Sequence, residues 1–184
     1  GFWDDRESAN KTIQELKTIK AKIVPVVNAE AAVEDAQLLW EMAVEGEDED
    51  EKISVNASLD TLIKSVEKVE TLALLGGPHD AFDCYFSIQS GTGGTDADDF
   101  TEMLMRMYMR YLEQNGFSFK EVDSAFGDEA GLKNVTLEVR GPFAYGILTC
   151  ERGVHRMARV SPYNAQGKRQ TSFAAVDVTD RKSV

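Results

Sequence analysis

Apolar positions in this 184-residue chain recur with a helical period as far as about Leu75, and from Ala81 the period changes, first to two. In the first part, a helix is expected over residues 4–24, and Ile13, Leu16, Ile23 and, beyond Pro25, Val27 form a stripe expected to be buried. Asp4, Asp5 and Glu7 stand in its first turn, where the helix dipole favours negative charge. Pro25 lacks a backbone donor and is expected to kink or end this helix. A second helix is expected from about Ala29 to Val44, with Ala32, Ala36, Leu39 and Trp40 as its apolar set. The block Gly46–Glu51 (GEDEDE) repels itself and reads as a solvated loop. Ser58 then caps a third helix, in which Leu59, Leu62, Val66 and Val69 repeat at a/d-like spacing. Three amphipathic helices predict a small bundle or hairpin, with the domain boundary at Gly76-Gly77-Pro78.

Beyond that boundary, Phe82, Cys84, Phe86 and Ile88 alternate with more polar neighbours, as in a half-buried strand. Gly91-Thr92-Gly93-Gly94 leads into a helix from Asp96 to about Gln114, with Thr95 and Asp98 spaced like a capping box. Phe100, Leu104, Met107, Tyr108, Tyr111 and Leu112 give it a wide apolar face that reads as core. Asn115-Gly116 ends it. Strands follow at about 117–125, 132–140, 156–161 and 171–178, with a helical turn around 143–150. The order predicts an α+β fold: an N-terminal helical bundle or hairpin over 1–76, then an α/β sandwich over 77–184, in which an antiparallel sheet is backed by one long helix.

Composition supports a folded core, with 42% hydrophobic residues and 9% aromatics. The longest apolar runs fall short of the roughly 18–20 residues that span a bilayer, so a soluble chain with no membrane partner is expected. Cys84 and Cys150 fall in segments expected to be buried and read as core thiols. The net charge of −12 argues against nucleic acid until it is divided by position. Residues 1–80 hold 8 Lys/Arg against 18 Asp/Glu, whereas residues 150–184 hold 7 against 3. Screening limits each charge to about 10 Å, so the local excess governs phosphate binding, and it allows RNA contact at the C-terminal end.

The basic excess sits in Glu151–Val178, ERGVHRMARVSPYNAQGKRQTSFAAVDV. Arg156 and Arg159, three apart on a strand, point to opposite faces, so one can be spent on ion pairs while the other stays free. Lys168 and Arg169 follow Gly167 in a loop suited to phosphates, although a merely solvated loop has the same composition. Gly91–Thr95 precedes a helix N-terminus, but it lacks the Lys-Ser/Thr of a phosphate loop, and Asp96, Asp98 and Asp99 would repel phosphate. It reads as a tight strand-to-helix turn. His79 falls in a linker and His155 reads as a hydrogen-bonded histidine fixing a turn. Ser161 has no base visible in the sequence, and no His/Cys/Asp cluster has metal-ligand spacing. No catalytic residues, metal or cofactor are expected.

The same stretch strongly resembles the codon-reading segment of class I peptide chain release factors, in particular those of the release-factor-2 type. Further likenesses are Phe2-Trp3-Asp4-Asp5, Gly91-Thr92-Gly93-Gly94-Thr95-Asp96-Ala97, Gly127-Asp128-Glu129-Ala130-Gly131 and Gly141-Pro142-Phe143-Ala144-Tyr145-Gly146, so the resemblance spans essentially the whole chain. It implies a protein that enters the ribosomal decoding centre, reads a stop codon with a Ser-Pro-Phe loop and a base-stacking histidine, and triggers hydrolysis through a Gly-Gly-Gln loop on another domain. Here the tripeptide is Ser161-Pro162-Tyr163, Gln170 takes the histidine's place, and Thr171 matches the threonine after it. No Gly-Gly-Gln occurs in these residues, so a non-hydrolytic chain is expected. The resemblance implies RNA as partner, through Arg156, Arg159, Ser161, Pro162, Tyr163, Lys168, Arg169, Gln170 and Thr171. The expected role is an RNA-binding factor, transcript-stabilising or ribosome-associated, in a plastid. The alternatives are a piece of a terminating release factor 2, as in the bacterial cytoplasm, and a scaffold that binds proteins through its acidic helices.

Overall fold

The computed structural model describes residues 5–46 and 49–181. The expected helix start at Asp4, the Phe2-Trp3-Asp4 signature, and Glu47 and Asp48 of the acidic block lie outside the described residues. The chain divides into two compact units, residues 1–76 and residues 77–184.

The first unit is a helical hairpin of α1 (Arg6–Glu45) and α2 (Glu49–Leu74). Three expectations change here. Pro25 does not end a helix; α1 runs through it for 40 residues. A proline costs a helix about 3 kcal/mol, and that cost is local, so the alanine-, lysine- and glutamate-rich turns on both sides carry the helix past it. Ser58 is not an N-cap but lies inside α2, which begins at Glu49, within the acidic block expected to be a loop, where carboxylates suit a first turn. The stripe expected to be buried is not: Leu16, Ile23 and Val27 are about half exposed, as are Leu39 and Trp40. The least exposed positions of α1 between residues 21 and 43 are instead Ala21, Pro25, Ala29, Val33, Ala36 and Ala43, a face of mostly small residues.

The second unit is a five-stranded antiparallel sheet in the order β2-β3-β1-β5-β4. Its elements are β1 (Cys84–Ser90), α3 (Thr95–Gln114), β2 (Ser118–Phe126), β3 (Leu132–Arg140), α4 (Ala144–Thr149), β4 (Gly153–Val160) and β5 (Arg169–Asp180). Alternation places Cys84, Phe86 and Ile88 of β1, Val135, Leu137 and Val139 of β3, and Ala174, Val176 and Val178 of β5 in one core. Phe100, Leu104, Tyr108 and Leu112 of α3 close it, and the rings of Phe86 and Tyr108 meet edge to face at 4.7 Å. Two members of the expected α3 core face, Met107 and Tyr111, lie on the outside, 50% and 39% exposed. The expected capping box does not form. Gly94 is the N-cap with no side-chain cap bond, and the Thr95 hydroxyl donates instead to Glu129 Oε2 at 3.0 Å.

Both cysteines are free thiols, Cys84 buried and Cys150 exposed, which corrects the expectation for the second. Burial, reinforced by the charge of Asp83, pushes the Cys84 thiol up to about 12. A thiol reagent at pH 8 is expected to modify Cys150 in the folded protein and Cys84 only after denaturation, as counted by mass spectrometry.

Candidate nucleic-acid interface

The site is built where β4 and β5 leave the sheet and cross the N-terminal turn of α3. The two strands pair with Arg159 opposite Gln170, Ala158 opposite Thr171 and Val160 opposite Arg169. Directly opposed residues share a face, so Arg159 and Gln170 stand on one side and Ala158, Val160, Arg169 and Thr171 on the other. The first side is that of the buried β5 positions Ser172 and Ala174, on which α3 packs. Gly93 permits the close approach of the β1–α3 turn, because at its φ of +144° a Cβ would lie 2.8 Å from Ser172 Oγ. Gly91 N donates to Phe173 O at 2.8 Å and Phe173 N to Thr92 O at 3.0 Å, which extends the pairing of β5 into this turn.

Arg159 is committed to α3. Its Nη2 donates to Asp96 Oδ1 at 3.0 Å and to Asp99 Oδ2, and its Nη1 approaches Met103 Sδ at 3.5 Å. Burial disfavours the guanidinium charge, but the hydrogen bonds and charges of Asp99 and Asp96 more than offset this and raise its pKa. Arg156, on the opposite face, is exposed and has no ion pair among the described residues, so the two arginines divide as the spacing predicted.

The loop 161–168 is folded by short-range bonds. Tyr163 N donates to Ser161 Oγ at 3.1 Å, Gln166 N to Asn164 Oδ1 at 2.9 Å, and Gly167 N to Asn164 O at 3.0 Å, with Gly167 in the left-handed region at φ +60°. Ser161 is buried, whereas Pro162, Tyr163, Lys168 and Arg169 are exposed. The Tyr163 hydroxyl donates to Asp99 Oδ1 at 3.2 Å. Burial, then the Asp99 charge and this hydrogen bond, hold its pKa above that of a free tyrosine.

An open concavity of about 400 Å³ results, lined by Gly93, Thr95, Asp96, Ser161, Tyr163, Asn164, Ala165 and Gln170. Of the nine residues expected to meet RNA, the structure brings Ser161, Tyr163 and Gln170 together here, with Arg159 just behind. Arg156, Arg169 and Thr171 lie on the other face of the ribbon, so the nine do not form one surface. Asp96 and Asp99, which hold Arg159 and, through Asp99, the loop, were read from the sequence as repelling phosphate and not as partners of an arginine. Their pairing with a residue about 60 positions away has no local signal. His155 behaves as expected, with Nε2 at 3.0 Å from Glu151 O; a carbonyl only accepts, so that nitrogen carries the proton.

The sequence profile of the PCRF domain matches residues 1–176. The chain belongs to the PCRF domain family. Within it, this chain is similar to release factors of the second type. It is 44% identical over 178 residues to "Peptide chain release factor 2" of Clostridium perfringens, covering 97% of this chain and 49% of that protein. With "Peptide chain release factor 2" of Haemophilus influenzae it shares 42% identity over 176 residues, 96% of this chain and 48% of the other. Among solved structures, RF2 of Thermus thermophilus superposes with a TM-score of 0.63 at 36% identity, over 97% of this chain and 50% of that one. The chain thus spans about half the length of the curated relatives it matches. This PCRF domain chain is therefore a class I release-factor relative of the release-factor-2 type, with the α+β architecture of that group.

Proposed function

We propose that this release-factor-2-like chain binds RNA through the β4–β5 ribbon and its loop, and does so without discriminating stop codons. The observation that carries the reading is Gln170, which places an amide in the concavity where the resemblance calls for an aromatic ring. Stacking on an aromatic contributes about 1–3 kcal/mol per base, and an amide offers only hydrogen bonds in its place. Asp96 and Asp99 outnumber Arg159, so the concavity disfavours phosphate and admits an uncharged base. The phosphates are then left to Lys168, Arg169 and Arg156, all exposed. Arg159 serves as the support beneath the loop. Transcripts or the ribosomal decoding centre are the RNA partners this fits, and the departures at Tyr163 and Gln170 favour a plastid paralogue over a bacterial cytoplasmic factor.

Gln170→His is expected to tighten binding to single-stranded RNA by roughly 10-fold, by restoring one stacking platform. Fluorescence anisotropy with a labelled oligonucleotide checks it. Codon discrimination is tested by affinity for ribosomes carrying a stop or a sense triplet in the decoding site. Equal affinities are expected.

A second reading is favoured by the 44% identity to a release factor 2 and by the retained Ser161-Pro162 and Thr171. In it, the chain is the codon-reading part of a factor that terminates translation by peptidyl-tRNA hydrolysis, and a preference for stop triplets of 10-fold or more would put it first. The exposed apolar side chains of the acidic hairpin, Leu16, Ile23, Val27 and Trp40 among them, favour a protein partner there as well.

A further inference from the structure

We propose that Tyr163 is a positioning residue: its hydroxyl, held by Asp99 of α3, clamps the β4–β5 loop in the conformation that meets RNA. The ring is 46% exposed, so packing alone does not fix it. Within 162–168 the other hydrogen bonds run to the loop itself, from Tyr163 N to Ser161 Oγ, from Asn164 N to Ser161 O, from Gln166 N to Asn164 Oδ1 and from Gly167 N to Asn164 O. Among the described residues, the bond from Tyr163 to Asp99 is the one that joins this segment to another element, across 64 positions of sequence.

The two oxygens of Asp99 divide the task. Oδ2 receives Arg159 at the end of β4, and Oδ1 receives Tyr163 two residues into the loop. One carboxylate therefore ties both the strand end and the loop to the N-terminal part of α3. Asp99 is itself held in place, because Arg159 also binds Asp96, whose side chain is 9% exposed. A loop already held in one conformation loses less freedom on binding, and its partner binds more tightly for that reason alone. A phenylalanine at position 163 would fill the same space and could not close the clamp.

The effect on RNA affinity rests on the RNA-binding reading above; the clamp does not. Tyr163→Phe in the full chain removes one hydrogen-bond donor and no volume. Amide hydrogen exchange over Tyr163–Gly167 is expected to quicken roughly 3- to 10-fold, with β1 unchanged. Asp99→Ala, which also releases Arg159, should give at least as large an increase, and Tyr163→Phe should add nothing in that background, because the hydroxyl acts through Asp99. Affinity for a single-stranded oligonucleotide should fall a few-fold with the salt slope unchanged, since no phosphate contact is lost. Unchanged exchange, additive effects of the two substitutions, or faster exchange with undiminished affinity would each overturn the proposal. If the unsubstituted protein binds no RNA, the RNA-binding reading falls, and the exchange measurements still decide whether the clamp exists.

Discussion

Replacing Lys168 and Arg169 together by glutamate is expected to abolish RNA binding, lowering affinity on the order of 100-fold or more at physiological salt. Both residues are exposed, one in the loop and one at the first position of β5, and neither has an ion pair among the described residues. Each cation that neutralises a phosphate releases counterions, and its reversal adds repulsion to that loss. The slope of log affinity against log salt should become shallower by about 1.4, twice the roughly 0.7 expected for each single-strand phosphate. The fold should not change, because neither side chain enters the core, and circular dichroism provides that control. Unaltered affinity would place the RNA contact elsewhere.

The second large effect is on stability. Arg159→Ala is expected to destabilise the second unit by about 2–3 kcal/mol, read from the midpoint of chemical denaturation. The arginine is the shared partner of two carboxylates whose side chains are only 9% and 19% exposed. Removing one partner of a fully buried ion pair costs about 3–5 kcal/mol, mostly because a desolvated charge is left behind. Partial exposure of this cluster lets water screen the remaining carboxylates, which lowers the figure. Arg156→Ala, at an exposed position with no ion pair, is expected to leave stability within about 0.5 kcal/mol. The contrast separates the supporting arginine from the surface one, although sequence alone presents them as equals.

Strand and helix identity in the second unit was legible because alternation is a local property. Phe86 and Ile88 must share a face whatever pairs with them, and β3 falls at 132–140 as its pattern requires. The first unit was harder to read for the opposite reason. Pro25 and the acidic block are strong local punctuation, yet a helix of 40 residues tolerates one, and a helix start welcomes the other. Cys150 fell in a segment expected to be buried, but it is the exposed C-cap of a short helix that turns Gly146 and Leu148 inward instead.

The candidate site was legible in composition and not in arrangement. Parity told that Arg156 and Arg159 part company; which of them meets carboxylates depends on the side of β4 that α3 covers. The placement of Gln170 opposite Arg159 depends on a register that only the folded pair defines. The clamp from Tyr163 to Asp99 joins residues 64 apart and could not be inferred from either neighbourhood.

The most direct test of RNA binding as the function is the affinity of the unsubstituted protein for a single-stranded oligonucleotide, measured from about 50 to 200 mM salt. Binding whose logarithm falls linearly with log salt, with a slope corresponding to two or more phosphates at about 0.7 each, is the predicted result. No measurable binding at the lowest salt, or binding indifferent to salt, would contradict it.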